Sequence, residues 1–288
     1  MTCRRRRIVG WICLALVLCL LVLAFAAIMV LPGRWYLFFQ RHRIYSSLSL
    51  EKLSTSEVRE SVTLEELRKD PRVRFTNALM LVNAEHPLPE DYQPSITDYK
   101  GIEMHPDAVE GYAALAARVE KLTGDRLLVV DDFRTREEQE AIAKDSEEGI
   151  AAIPGCSEHE AGLALDVCVK GYGGQSFLKT WAGIYTNLFC QNYGFIIRYP
   201  AEKEDVTGIS YEPWHLRYVG ETHARLMAES GLTLEEYVES LVPGVWYRTG
   251  NTLLCRASAT GIALPAGWSL CEISPDNLGY YVITLHME

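Results

Sequence analysis

Two short blocks carry the side chains that could do chemistry. Ser157-Glu158-His159-Glu160-Ala161-Gly162-Leu163-Ala164-Leu165-Asp166 is followed far downstream by Glu212-Pro213-Trp214-His215. Together they supply two imidazoles, one carboxylate ligand and a spare carboxylate. Three nitrogen and oxygen ligands with a fourth position left for water suit a catalytic zinc ion, whereas a structural zinc is closed by four protein ligands, usually thiolates. The pattern reads as a metallohydrolase. His159 alone is more often a satisfied structural histidine than a ligand, so the expectation rests on the constellation.

The spacing says how these groups must be held. Gly162, between His159 and Asp166, permits a sharp change of direction, so a loop ligand and a strand ligand can converge on one ion. From Gly162 to Val169 the sequence alternates, with Leu163, Leu165, Val167 and Val169 on one face and Ala164, Asp166 and Cys168 on the other. Pro213 forces Glu212 into an extended conformation. In a regular strand Glu212 and His215 would face opposite sides, so a bulge or bend at Pro213-Trp214 is required to turn both inward.

The surrounding elements follow from periodicity. Pro106 suits a first helical position, and Val109, Tyr112, Leu115, Val119 and Leu122 recur at helical spacing until Gly124. Leu127 to Val130 is a strand that delivers Asp131-Asp132-Phe133-Arg134. Thr135-Arg136-Glu137-Glu138 is a capping-box pattern that opens a helix running to about Ser146, and Thr63-Leu64-Glu65-Glu66 is another. Phe177 to Tyr193 reads as an aromatic-rich helix, Gly194 to Tyr199 and Trp214 to Val219 as strands, and Glu221 to Glu229 and Thr233 to Leu241 as helices. Alternating elements without a Gly-rich phosphate fingerprint or long parallel-strand runs indicate an α+β fold, an antiparallel sheet with flanking helices carrying the open zinc site.

At 288 residues the chain accommodates one ordinary domain with appendages. From Ile8 to Leu31 there is no charged residue, and about 24 residues at ~1.5 Å rise would span a ~30 Å hydrocarbon core. A transmembrane anchor is expected over 1–33, with a cleavable signal ending near Ala24-Phe25-Ala26 as the rival reading. Arg4 to Arg7, balanced in part by Arg34, Arg41 and Arg43, lean only weakly towards an inside N-terminus. Residues 34–75 read as a juxtamembrane stalk, 76–242 as the catalytic domain and 243–288 as a small β-rich extension. A formal charge of −10 argues against a nucleic-acid partner. Cys255 and Cys271 flank a turn-rich segment and are candidates for a disulfide. Cys156 and Cys168 read first as small packed residues, then as a disulfide bracing the site, then as an adventitious metal ligand. His105, His223 and His286 lack companion carboxylates at a useful spacing and read as surface or capping residues.

The sequence resembles the zinc D-alanyl-D-alanine carboxypeptidases of the vancomycin-resistance type, whose signatures are S-x-H-x-x-G-x-A-x-D and E-x-W-H. Both are present in full. Asp132-Phe133-Arg134-Thr135 resembles the family's arginine loop, Gly194-Phe195-Ile196-Ile197-Arg198-Tyr199-Pro200 its pre-catalytic strand, and Trp214-His215-Leu216-Arg217-Tyr218-Val219-Gly220 its second ligand segment. The resemblance covers about Asn77 to Leu241.

It implies one zinc ion on His159, Asp166 and His215, with Glu212 as the general base towards a metal-activated water and Arg134 as the stabiliser of the tetrahedral oxyanion. Ser157 and Gln139 resemble substrate-contacting positions, although a turn residue and a helix-surface residue are their bland readings. The implied partner is a peptidoglycan stem peptide, with the catalytic domain outside a bacterial cell membrane and a single-pass helix holding it there. The implied activity is removal of the terminal D-alanine from D-Ala-D-Ala. An L,D-carboxypeptidase acting on tetrapeptide stems shares the same ligands, and a zinc-stabilised wall-binding module without turnover is the reading from another class. Oligomeric state is not encoded in any of these features.

Overall fold

The computed structural model describes residues 11–23, 32–53, 58–145 and 152–288. Six helices matter for the site: α1 (Pro32–Arg41), α2 (Pro106–Thr123), α3 (Arg136–Asp145), α4 (Trp181–Phe189), α5 (Glu221–Ser230) and α6 (Leu234–Ser240). The strands before the site are β1 (Glu51–Lys52), β2 (Val58–Val62), β3 (Val73–Phe75), β4 (Thr97–Asp98), β5 (Glu103–Met104) and β6 (Leu128–Asp131). Then come β7 (Ala164–Cys168), β8 (Phe195–Ile197) and β9 (His215–Tyr218). The tail holds β10 (Trp246–Thr249), β11 (Thr252–Ala257), β12 (Ile262–Pro265), β13 (Trp268–Pro275) and β14 (Tyr281–Met287).

The catalytic sheet has the order β6-β7-β9-β8 and every neighbouring pair is antiparallel. Its apolar face is closed by α2, whose Ala108, Tyr112, Leu115 and Val119 pack with Leu165, Val167, Phe195 and Leu216. The boundaries of α2 follow local chemistry: His105 caps its first turn by accepting from the Asp107 amide, Pro106 starts it, and Gly124 ends it in the left-handed region. The aromatic-rich segment expected as one helix is interrupted. A 3-10 turn over Gly174–Lys179 precedes α4 and another over Cys190–Tyr193 follows it. Thr180 caps α4 by accepting from the Gly183 amide, which separates the first turn from the helix.

The C-terminal strands do not form an isolated appendage. A six-stranded sheet runs β1-β10-β11-β14-β13-β3, and β2 pairs with β12, so segments flanking the catalytic domain in sequence meet in space. One face of this sheet presents Tyr247, Leu254 and Val282 to α5 and α6, with Ala224, Leu234, Tyr237 and Val238 opposite. The other presents Leu253, Ile283 and Leu285 to Leu64, Leu67, Ile262 and Trp268. Period-two alternation along β11 and β14 therefore feeds two cores. Residues 34–75, read from sequence as a stalk, contribute β1, β2 and β3 to this structure, and the Ser46 amide donates to the Glu229 carbonyl at the end of α5.

The membrane expectation is corrected. Among the described residues no helix is long and apolar enough to cross a membrane. The single-pass localisation and the membrane partner are thus not supported. Residues 8–10 and 24–31 of the expected span, together with Ser146 at the expected end of α3, lie outside the described residues. The cysteine expectation is settled too: Cys156, Cys168, Cys190, Cys255 and Cys271 are all free. Cys255 and Cys271 are buried small residues, their thiols pushed up to about 12 by burial.

Candidate metal centre

Strand register builds one row of polar side chains across the catalytic sheet. Asp131 of β6 lies opposite Asp166 of β7, and Asp166 lies opposite His215 of β9. Residues directly opposite on antiparallel strands share a face, so the register alone brings three groups to one side of the sheet. Asp166 Oδ1 is 3.0 Å from His215 Nδ1. The missing member arrives from the 3-10 turn over Glu158–Ala161, which Gly162 ends at φ +69°. The left-handed φ calls for glycine there, and a Cβ at Gly162 would stand 2.3 Å from Ile96 Cδ1, so that side chain would also have to give way. His159 then sits with Nε2 3.5 Å from Asp166 Oδ1.

His159, Asp166 and His215 offer ligand atoms that all lie within 4.8 Å of one another, the one such group among the described residues. The two imidazoles meet nearly perpendicular, with ring centroids 5.0 Å apart. His159 Nδ1 lies 2.7 Å from the Asp132 carbonyl oxygen. A carbonyl only accepts, so Nδ1 carries the proton and Nε2 is left as the ligand. Asp166 Oδ1 is buried without a hydrogen-bond partner. A small cation at the centre of the three would satisfy it, and two nitrogens with one carboxylate oxygen suit zinc with an open position. Burial opposes ionisation of Asp166, but His159 and His215 hold it well below the usual carboxylate range, so it is an anion ready to bind.

Glu212 reaches the same point by a turn and not by a bulge. The His215 amide donates to the Glu212 carbonyl at 3.2 Å, closing a turn over Glu212-Pro213-Trp214-His215 just before β9 begins. Pro213 fits the second position of such a turn. The expected inward bend is thereby present, and Glu212 Oε2 stands 3.7 Å from His215 Nδ1. The turn is held from behind by Asn187 of α4, which donates to the Pro213 carbonyl at 2.8 Å and accepts from the Tyr211 hydroxyl. Burial raises the Glu212 carboxyl, offset in part by His215.

Arg134 is placed by three partners. Asp131 binds it in a two-point ion pair through Nε and Nη2, Gln139 Oε1 accepts from Nη1 at 2.8 Å, and the Arg134 amide donates to the His159 carbonyl. Gln139 is fully buried, and its amide nitrogen donates to the Ala152 carbonyl. Both ends of this side chain are thus occupied, which makes Gln139 a brace for Arg134. Ser157 is buried at the start of the 3-10 turn, and its side chain makes no capping bond. Cys168 is buried on β7 outside the ligand group.

Sequence reasoning passed over the groups behind the ligands. Glu158, beside the ligand His159 and given no role by the sequence, is completely buried and accepts from Arg198 Nε at 2.7 Å and Arg217 Nη1 at 2.5 Å. Arg198 also pairs with Glu235 of α6, and Arg217 donates to the Ala78 and Met80 carbonyls. The available signal was an arginine placed within each of two apolar strand segments, Phe195-Ile196-Ile197-Arg198 and Leu216-Arg217-Tyr218-Val219, since a buried arginine demands a buried carboxylate.

Comparison with known proteins agrees with this geometry. The family model VanY, described as D-alanyl-D-alanine carboxypeptidase, matches residues 101–221. The bifunctional D-Ala-D-Ala dipeptidase and D-Ala-D-Ala carboxypeptidase VanXYC of Enterococcus gallinarum is 37% identical over 188 residues, spanning 59% of this chain and 97% of the relative. A variant of the vancomycin resistance D,D-pentapeptidase VanY from the VanB-type resistance cassette, solved in complex with Zn(II), has a TM-score of 0.50 at 31% identity. It covers 56% of this chain and 98% of its own. The LD-carboxypeptidase LdcB has a TM-score of 0.52 at 30% identity, covering 65% of this chain and 96% of its own. With two complete signatures on a shared fold and a relative matched over nearly its whole length, this chain belongs to the VanY family of D-alanyl-D-alanine carboxypeptidases.

Proposed function

We propose that the protein is a zinc-dependent D,D-carboxypeptidase that hydrolyses the terminal D-Ala-D-Ala bond of peptidoglycan stem peptides. The observation that carries this is the convergence of His159, Asp166 and His215 within 4.8 Å, flanked by a carboxylate and a guanidinium that metal binding alone does not need. Zinc, when bound, lowers the pKa of a water and polarises the scissile carbonyl.

The chain's own residues do the rest. Glu212 lies beside the ligand group on a turn, half-shielded from solvent, where it takes the proton of the attacking water and returns it to the leaving amine. Arg134, fixed by Asp131 and Gln139, presents a permanent charge to the oxyanion that develops in the tetrahedral state. Ser157, buried two residues before His159, leaves its side chain uncommitted to the cap, which keeps its hydroxyl available to a substrate. Zinc-loaded protein should release D-alanine from a pentapeptide ending in D-Ala-D-Ala and stop on chelation. Undiminished turnover by Glu212→Gln would remove the assigned base.

A second reading, an L,D-carboxypeptidase acting on tetrapeptide stems, is favoured by the likeness to LdcB. Both reactions use the same ligands, so turnover of pentapeptide against tetrapeptide separates them. A binding module without turnover has no use for the placed Glu212 and Arg134.

A further inference from the structure

The two metal-ligating imidazoles are pinned in different ways. His159 has its outer nitrogen against a neutral backbone carbonyl, that of Asp132. His215 has its outer nitrogen, Nε2, facing Glu158 Oε2 at 3.6 Å. Neither of these two atoms has a hydrogen-bond partner, and both are shut off from water. Glu158 is arranged to keep that oxygen available: Arg198 and Arg217 both bind its other oxygen, Oε1. The His215 ring is hemmed in, with Nδ1 facing Asp166 Oδ1 at 3.0 Å and the Tyr199 ring packed against it at a centroid distance of 4.8 Å.

We propose that Glu158 is the positioning residue for His215, accepting Nε2–H so that Nδ1 is the nitrogen presented to zinc. This rests on the reading that His159, Asp166 and His215 hold the metal. The 3.6 Å gap is longer than a hydrogen bond, and leaving donor and acceptor unpaired in a buried site is costly. A closing of this gap by a few tenths of an ångström would satisfy both atoms at once. A carboxylate behind a ligating histidine fixes its tautomer and strengthens it as a donor. Arg198 and Arg217 make a buried anion tolerable there, and Glu235 balances the second positive charge.

The direct test is two-bond proton–nitrogen NMR on the unaltered protein labelled with 15N-histidine, without and with zinc. Zinc should shift His159 Nε2 and His215 Nδ1, and His215 should carry its proton on Nε2, in a hydrogen-bonded resonance. Zinc-induced shifts at His159 with an Nδ1-protonated His215 would overturn the inference alone. No zinc-induced shift at either histidine would overturn the metal reading and the inference with it.

Glu158→Gln should weaken zinc binding about 10- to 100-fold in competition with a chromophoric chelator. Glu235→Gln, which perturbs the same buried cluster without touching His215, should change it by less than about threefold while lowering Tm. Equal losses of zinc affinity in the two variants would reduce Glu158 to a structural anion and overturn the proposal. Where Glu158→Gln fails to fold, the NMR result on the unaltered protein decides.

Discussion

At the scale of single residues, the site is a row and a loop: Asp131, Asp166 and His215 across three strands, with His159 brought in by Gly162. A candidate ligand group was legible because zinc chemistry needs few kinds of side chain, and the structure brings His159, Asp166 and His215 together. The partners were not, because adjacency in sequence does not say which way a side chain points. Glu158 precedes a ligand and turns into the protein, and Gln139, expected at the substrate, is wholly buried behind Arg134. Glu212→Gln should lower kcat by about 10²- to 10⁴-fold with zinc content unchanged, as steady-state rates and metal analysis will show. Arg134→Ala should lower kcat by about 10²- to 10³-fold. Gln139→Ala should reproduce part of that loss, measured on the same pentapeptide, because the guanidinium loses one of its three restraints.

At the scale of elements, period-two alternation placed Asp166 off the main apolar face, and the proline before Trp214 announced the change of direction that β9 needs. Residues that speak through local geometry were readable. The capping boxes at Thr63 and Thr135 both form, since they depend on neighbours three positions apart. The break in the aromatic-rich helix was not readable from periodicity, because Gly183 must pass against the Phe177 carbonyl, where a Cβ would sit at 2.1 Å. Gly162→Ala tests the element that delivers His159. It introduces both an unfavourable φ and a collision with Ile96, so stability should fall by about 1–3 kcal/mol in denaturant unfolding, with weaker zinc binding in the folded fraction.

At the scale of the whole molecule, the catalytic sheet and the C-terminal sheet are joined through α5 and α6, and the segment read as a stalk is partly woven into the second sheet. That long-range pairing was invisible in the sequence, because two- and three-residue strands such as β1 and β3 carry no periodic signal. The expected membrane-spanning helix finds no support among the described residues. The joint between the sheets contains His223, buried between the Tyr237 hydroxyl and Thr284 Oγ1. Burial lowers its pKa to about 4, so it stays neutral in the folded protein while the unfolded chain protonates it near ~6.5. Stability is therefore fully present above ~6.5 and is lost as pH falls towards 4, by about 3 kcal/mol. Replacing His223 with Asn should flatten that acid limb in a pH series of Tm values. The central claim, that this site is a zinc D,D-carboxypeptidase centre, is tested most directly by mass spectrometry of a D-Ala-D-Ala-terminated muropeptide incubated with the zinc-loaded protein. The account predicts loss of a single D-alanine, abolished by chelator and restored by zinc. An unchanged muropeptide, or release that survives removal of the metal, would contradict it.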